Sequence, residues 1–131
     1  MCEREKNYKL ICELFDELKS LLTNYPNNRV DFEFTEDDAV CWNGEEYEPN
    51  EFAIYYGSSW YHDDRLIIKS IYVEDDELYF DGSWMAWNHK GNVCGEEEMD
   101  HIGVDLLLGR SSENTIFLVN QLQFFVDIIK K

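Results

Sequence analysis

Apolar positions recur at steps of three and four along the first part of the chain. Tyr8, Ile11, Phe15, Leu18, Leu22 and Tyr25 make one stripe, widened by Leu14 and Leu21. This spacing predicts an amphipathic helix, because 3.6 residues per turn brings i, i+3 and i+4 to one side. Its charges nearly cancel, with Glu3, Glu5, Glu13, Asp16 and Glu17 set against Arg4, Lys6, Lys9 and Lys19. Pro26, inside an Asn-rich run from Asn24 to Asn28, ends the helix. Proline lacks a donor N–H and disfavours helix at the residue before it.

The period then falls to two. Val30, Phe32 and Phe34 alternate with Asp31, Glu33 and Thr35, the pattern of a strand with one wet face. Ala39 to Trp42 reads as another strand. Asn43-Gly44 after it signals a two-residue hairpin, because both residues tolerate positive φ. Glu45 to Glu48 is then the returning strand, closed by Pro49-Asn50. Phe52 to Tyr56 and Ser59 to Tyr61 are aromatic strand-like runs joined at Gly57.

Arg65 to Val73 and Glu77 to Trp87 are the longest strand candidates, and Glu74-Asp75-Asp76 between them predicts a hairpin turn. Apolar residues fall on both parities of this pair, with Leu66 and Ile68 on one and Ile67 and Ile71 on the other. That pattern predicts strands in mid-sheet with something packed on each face. Asn88 to Asp100 reads as a loop, with two glycines and the run Glu96-Glu97-Glu98. Val104 to Leu108 is a short strand or a helical turn, broken at Gly109. Ser111 or Ser112 can cap a final helix from Thr115 to Lys131. Its apolar side is wider than one stripe, which predicts deep burial or a homodimer through this C-terminal helix.

The order is helix, about five to seven strands, helix. Strands contiguous in sequence and segregated from helices predict an α+β fold: a single domain over residues 1–131, with a mostly antiparallel sheet flanked by an N-terminal and a C-terminal helix. A chain of 131 residues is long enough to bury a core.

Charge changes the picture. Between Asp31 and Asp105 lie 21 acids against three bases, Arg65, Lys69 and Lys90. The formal net charge of -17 therefore resides in the strand-rich middle, since the remainder is almost neutral. The same stretch holds 14 of the 20 aromatics, so it is a folded anionic surface rather than an acidic tail. A pI near 4.3 argues against direct nucleic-acid binding and against anionic membranes. It points to a basic protein as partner.

Candidate partner-binding acids are Asp31, Glu33, Glu36, Asp37, Asp38, Glu45, Glu46, Glu48, Glu74, Asp75, Asp76, Glu77, Glu96, Glu97 and Glu98. Trp60, Tyr61, Trp84 and Trp87 are candidate aromatic anchors, since Trp and Tyr dominate interface hot spots.

Catalytic and metal chemistry leave weaker traces. His62, Asp63, His89, Cys94, Asp100 and His101 are candidate ligands. Their spacing matches neither a zinc pair nor a calcium loop, so no metal and no cofactor are expected. There is no GxSxG and no phosphate-cradling glycine loop. Cys94, with His89 five residues before it and His101 seven after, offers a thiol and imidazoles, but adjacent sequence seldom supplies the geometry of a thiol–imidazole pair. Cys2, Cys12, Cys41 and Cys94 form no CxxC. With no basic-then-apolar leader and no apolar run near ~20 residues, a cytoplasmic protein with reduced thiols is expected.

The composition therefore favours a non-catalytic acidic protein that docks on a basic surface. Two forms fit: an inhibitor that occludes a nucleic-acid-binding site by mimicking nucleic acid, as an anti-defence protein does, or an immunity protein for a nuclease toxin. The alternatives are a small dimeric chaperone-like helper, marked by a hydrophobic groove and helix-mediated dimer, and a metal-dependent enzyme, marked by convergence of the His, Cys and Asp set.

Overall fold

The computed structural model describes residues 2–37, 39–58, 62–110 and 115–131; for residues 55–58, 62 and 110 it describes the backbone alone. In chain order the elements are α1 (Glu3–Leu22), β1 (Arg29–Asp31), β2 (Glu33–Phe34), β3 (Val40–Trp42), β4 (Glu45–Tyr47), β5 (Ala53–Ser58), β6 (His62–Glu74), β7 (Glu77–Asn88), β8 (Val93–Gly103), α2 (Val104–Arg110) and α3 (Thr115–Lys130). Single 3-10 turns lie at Pro26–Asn28 and Pro49–Phe52. The fold is α+β, with the helices flanking a mostly antiparallel sheet.

Five strands make the main sheet, in the order β1-β6-β7-β8, with β5 also on β6. β6 is long enough to take two short partners end to end on the same edge. β5 pairs with its first half and β1 with its second half. β2, β3 and β4 form a separate small sheet. The Asn43-Gly44 turn has φ of 49° and 80°, and Asp75-Asp76 has 52° and 64°. Positive φ at both central residues matches the right-handed twist of the strands they join.

The mixed parity of β6 has two causes, a bulge and local burial on both faces. The register with β7 runs Leu66↔Trp84 and Ile68↔Gly82, then Ile71↔Phe80 and Val73↔Leu78, with a bulge at Lys69. Cross-strand partners share a face, so Leu66, Ile68, Ile71 and Val73 all point one way. The extra residue shifts the phase and so accounts for Ile71, while Ile67, on the opposite face, is only 4% exposed, so that face is covered there as well. A Cβ on Gly82, opposite the bulge, would collide with the Ile67 carbonyl oxygen. Asn88 to Asp100 is also not a loop: from Val93 onward it is β8, paired with β7. Val104 to Leu108 belongs to α2. The expected caps Ser111 and Ser112 and the run Ser59 to Tyr61 lie outside the described residues.

The helices cover the face carrying Leu66, Ile68, Ile71 and Phe80. Ile11, Leu14, Phe15, Leu18 and Leu22 of α1 are buried there, and Phe15 meets Phe80 edge-on at 6.2 Å. Tyr8 falls in the stripe yet stays exposed, while Asn7 turns inward and donates to Thr115 Oγ1 at 3.1 Å. α3 runs alongside α1 in the same direction, with Lys130 reaching Glu17 at 2.9 Å. Most of its apolar width is buried within the chain, from Leu118 to Ile129, while Ile116 is exposed. Phe125 packs on Phe32 and Phe52, and Phe124 packs on Tyr47 and Phe52. Trp42 Nε1 and the Tyr25 hydroxyl each donate at 3.0 Å to the carbonyls of Ile128 and Ile129. These are last-turn carbonyls that a helix cannot satisfy itself. Burying one such aromatic contributes about 2 kcal/mol, several times an exposed ion pair at about 0.2–1 kcal/mol. The helix-covered face therefore holds the fold together.

Candidate functional site

The other parity of β6, β7 and β8 faces away from that core. Its far end is a hydrogen-bonded polar lattice. Register aligns Arg29, Tyr72 and Tyr79 in one row and Asp31, Ser70 and Asp81 in the next. Tyr72 donates to Asp81 Oδ1 at 2.9 Å and lies 3.2 Å from His101 Nδ1. His101 donates its backbone N–H to the same Asp81 oxygen at 2.8 Å, and its ring stacks on Tyr79 at 3.8 Å. It takes φ of 58°, a left-handed value that turns β8 at this point. Arg29 pairs with Asp31 at 2.8 Å, approaches Asp81 at 3.6 Å and lies over the Tyr72 ring.

These contacts set the ionisation of the lattice. Burial and the bond to Asp81 push the Tyr72 phenol up to about 12. A proton held that tightly makes it a hydrogen-bond donor, not a base or nucleophile. Burial alone would raise Asp31, but bonds from Ser70 and Arg29 outweigh it and hold the carboxyl below its ordinary value.

The near end of the face is a groove of about 510 Å³ between the main sheet and the small-sheet lobe. Ile67, Met85 and Trp87 line it from the sheet, and Phe34 closes it from β2. Lys69, freed to this side by the bulge, sits by the Phe34 ring and pairs with Glu98 at 3.2 Å. Ser83 donates to Glu98 at 2.8 Å, and that bond leads the forces holding the Glu98 carboxyl low, with Lys69 adding to it. Glu48 and Glu96 stand on the rim. Glu48 is fixed by a reciprocal cap with Glu51 at the 3-10 turn. Trp87 also faces an adjoining hollow lined by Arg65, Asp63 and Phe117.

The other candidate acids divide among three places. Glu33 and Glu46 flank Cys41 across the small sheet, on its outward face, about 10 Å apart. Glu36 and Asp37 sit exposed in the neighbouring turn, and Glu45 accepts from the Tyr47 hydroxyl at 2.7 Å. Glu74, Asp75, Asp76 and Glu77 form the β6–β7 hairpin tip, where Asp76 meets Lys19 at 3.1 Å and Glu77 accepts from Tyr79. Glu96, Glu97 and Glu98 are successive residues of β8. The acids are thus divided among the small sheet, the hairpin tip and both sides of β8 rather than gathered into one patch. Asp38, Trp60 and Tyr61 lie outside the described residues. Trp84 does not face the groove: its ring lies against Gly95, leaving only 3.0 Å for any Cβ there.

The candidate metal ligands separate. Cys94 and His101 stand near opposite ends of β8, roughly 20 Å apart at strand rise. His89 is in the β7–β8 turn, Asp63 is on β6, and the His62 side chain is outside the description. Among the described residues, no three His, Cys, Asp or Glu side chains could hold a metal ion together. No described helix is long and apolar enough to cross a membrane. Met85, Phe34 and Lys69 were not foreseen as groove residues. The parity of β7 puts Met85 beside Trp87, but nothing in the sequence announces the lobe that faces them.

The chain matches no protein-family model, no curated protein and no solved structure.

Proposed function

We propose that this chain is a non-catalytic binding protein that docks its open, acid-rimmed face on a basic protein. The carrying observation is the groove itself: Met85 and Trp87, over the buried Ile67, offer a half-dry seat, bordered by Glu48 and Glu96. An apolar centre inside a charged rim is how energetic hot spots are arranged in interfaces. The acids steer a cationic partner and the seat holds it, since complementary charge acts mainly on encounter. A basic surface that binds this face is denied to phosphate, which gives an inhibitor of a nucleic-acid-handling protein or an immunity protein for a nuclease, acting in a reducing cytoplasm.

The test is capture of a partner from host lysate on immobilised protein, followed by competition. The partner is expected to be basic, to be displaced by duplex DNA, and to elute as salt rises. Trp87→Ala and Glu96→Lys each weaken its retention. Retention that ignores salt, DNA and both substitutions overturns the reading.

A further inference from the structure

The groove borders β8, and β8 is an edge. Among the described residues it pairs with β7 alone. Register is broken between Phe80 and Gly82 and again between Ala86 and Trp87, but Gly95–Met99 between these bulges is regular. That stretch is roughly 14 Å of straight strand. Alternate residues in an antiparallel strand turn their N–H and C=O away from the neighbour. On β8 those outward groups form a row that no other strand among the described residues pairs with.

Natural sheets blunt such edges with short strands, proline, bulges or charge. β8 is 11 residues long and has no proline. Its straight part is marked instead by three acids, Glu96, Glu97 and Glu98, all exposed. A second copy aligned there would set carboxylates against carboxylates, which repels. A strand bearing Lys or Arg would find an opposite charge on either face, because Glu96 and Glu98 project to one side and Glu97 to the other.

We infer that Gly95–Met99 of β8 is a strand-addition site for a lysine- or arginine-rich extended segment of a partner protein. The inference rests on the docking function proposed above and specifies its mode. Main-chain hydrogen bonds to the free edge supply affinity, as in other peptide-on-sheet complexes, and the glutamates select for basic side chains. Glu98 is already held by Ser83 and Lys69. Glu96 and Glu97 make no ion pair among the described residues and are the selecting pair.

The probe is a short synthetic peptide alternating lysine with threonine. Its control is the same peptide methylated at alternate backbone nitrogens, which keeps the charge and removes the strand donors. At about ten times the Kd of the parent peptide, the outward amides of Gly95–Met99 are expected to exchange about tenfold more slowly, with every second residue responding. The methylated peptide is expected to bind at least about tenfold more weakly. Glu96→Lys with Glu97→Lys, both at exposed positions, is expected to weaken binding of the lysine peptide at least about tenfold without altering the thermal melt.

Equal binding of both peptides, or protection elsewhere, overturns strand addition while leaving charge-driven docking intact. Failure of both peptides to bind, with lysate capture intact, does the same. If β8 amides become protected on concentrating the protein alone, the edge belongs to a second copy and the inference falls.

Discussion

The two faces of the five-stranded sheet come from the same strands yet behave as different materials. The helix-covered face is a continuous apolar layer, with Leu66, Ile68, Ile71 and Phe80 fully buried. The open face alternates hydroxyls, carboxylates and cations that bond to one another, then gives way to the groove around Met85 and Trp87. Removing apolar volume from a sealed layer leaves a void, whereas the open face can readmit water. The first face is therefore where stability should be concentrated, and the second is where substitutions should be tolerated and partners met.

The largest effect should come from trying to equalise the faces. Phe80→Ala is expected to destabilise by about 3–5 kcal/mol in urea unfolding. Met85→Ala on the open face should cost about 1 kcal/mol, because Met85 is only partly buried and water can refill the space it leaves. Equal costs would break the contrast.

A smaller effect sharpens it. Tyr72→Phe removes the donor to Asp81 and the contact with His101, and should cost about 1 kcal/mol. Tyr72 ionises near 10.0 when unfolded and at about 12 when folded. The folded state holds the proton more tightly, so this stability is complete below pH about 10 and drains away as pH rises towards 12. Melting temperature against alkaline pH should fall less steeply in Tyr72→Phe. At the acid end the sign reverses. Asp31 and Glu98 titrate lower when folded than unfolded, so their contribution is present above about pH 4 and is lost as pH drops below it.

The smallest expected change is a gain. Asp76 holds φ of 64° at the hairpin tip. Asp76→Gly should stabilise by about 0.5–1 kcal/mol in thermal melts, since glycine takes that conformation freely. The ion pair it gives up, with Asp76 94% exposed, contributes little by comparison.

Much of the helix-covered face could be read in advance, because burial on one side imposes a period. The α1 stripe and both hairpin turns follow from spacing and turn chemistry alone. β8 was hidden for the opposite reason. A strand exposed along most of its length, with Ile102 its one buried side chain, has no apolar alternation, and Glu96-Glu97-Glu98 looks like loop. The bulge at Lys69 was hidden too, since one inserted residue changes parity without changing composition. The groove needs two regions far apart in sequence, Phe34 with Ile67 and Met85, so no local pattern could announce it. The acids were visible in composition, while their dispersal into turns, edge and rim depended on topology.

The pairing of α1 with α3 joins opposite ends of the sequence, as in the bonds from Asn7 to Thr115 and from Lys130 to Glu17. On a ribosome, every strand of the sheet would be made before α3 emerged, leaving Phe32, Phe52 and Phe80 without their full cover. Contacts so distant along the chain are reached late and slowly. The nascent chain would thus carry an open aromatic layer until α3 had been made, and its dense negative charge would keep such chains apart during that interval.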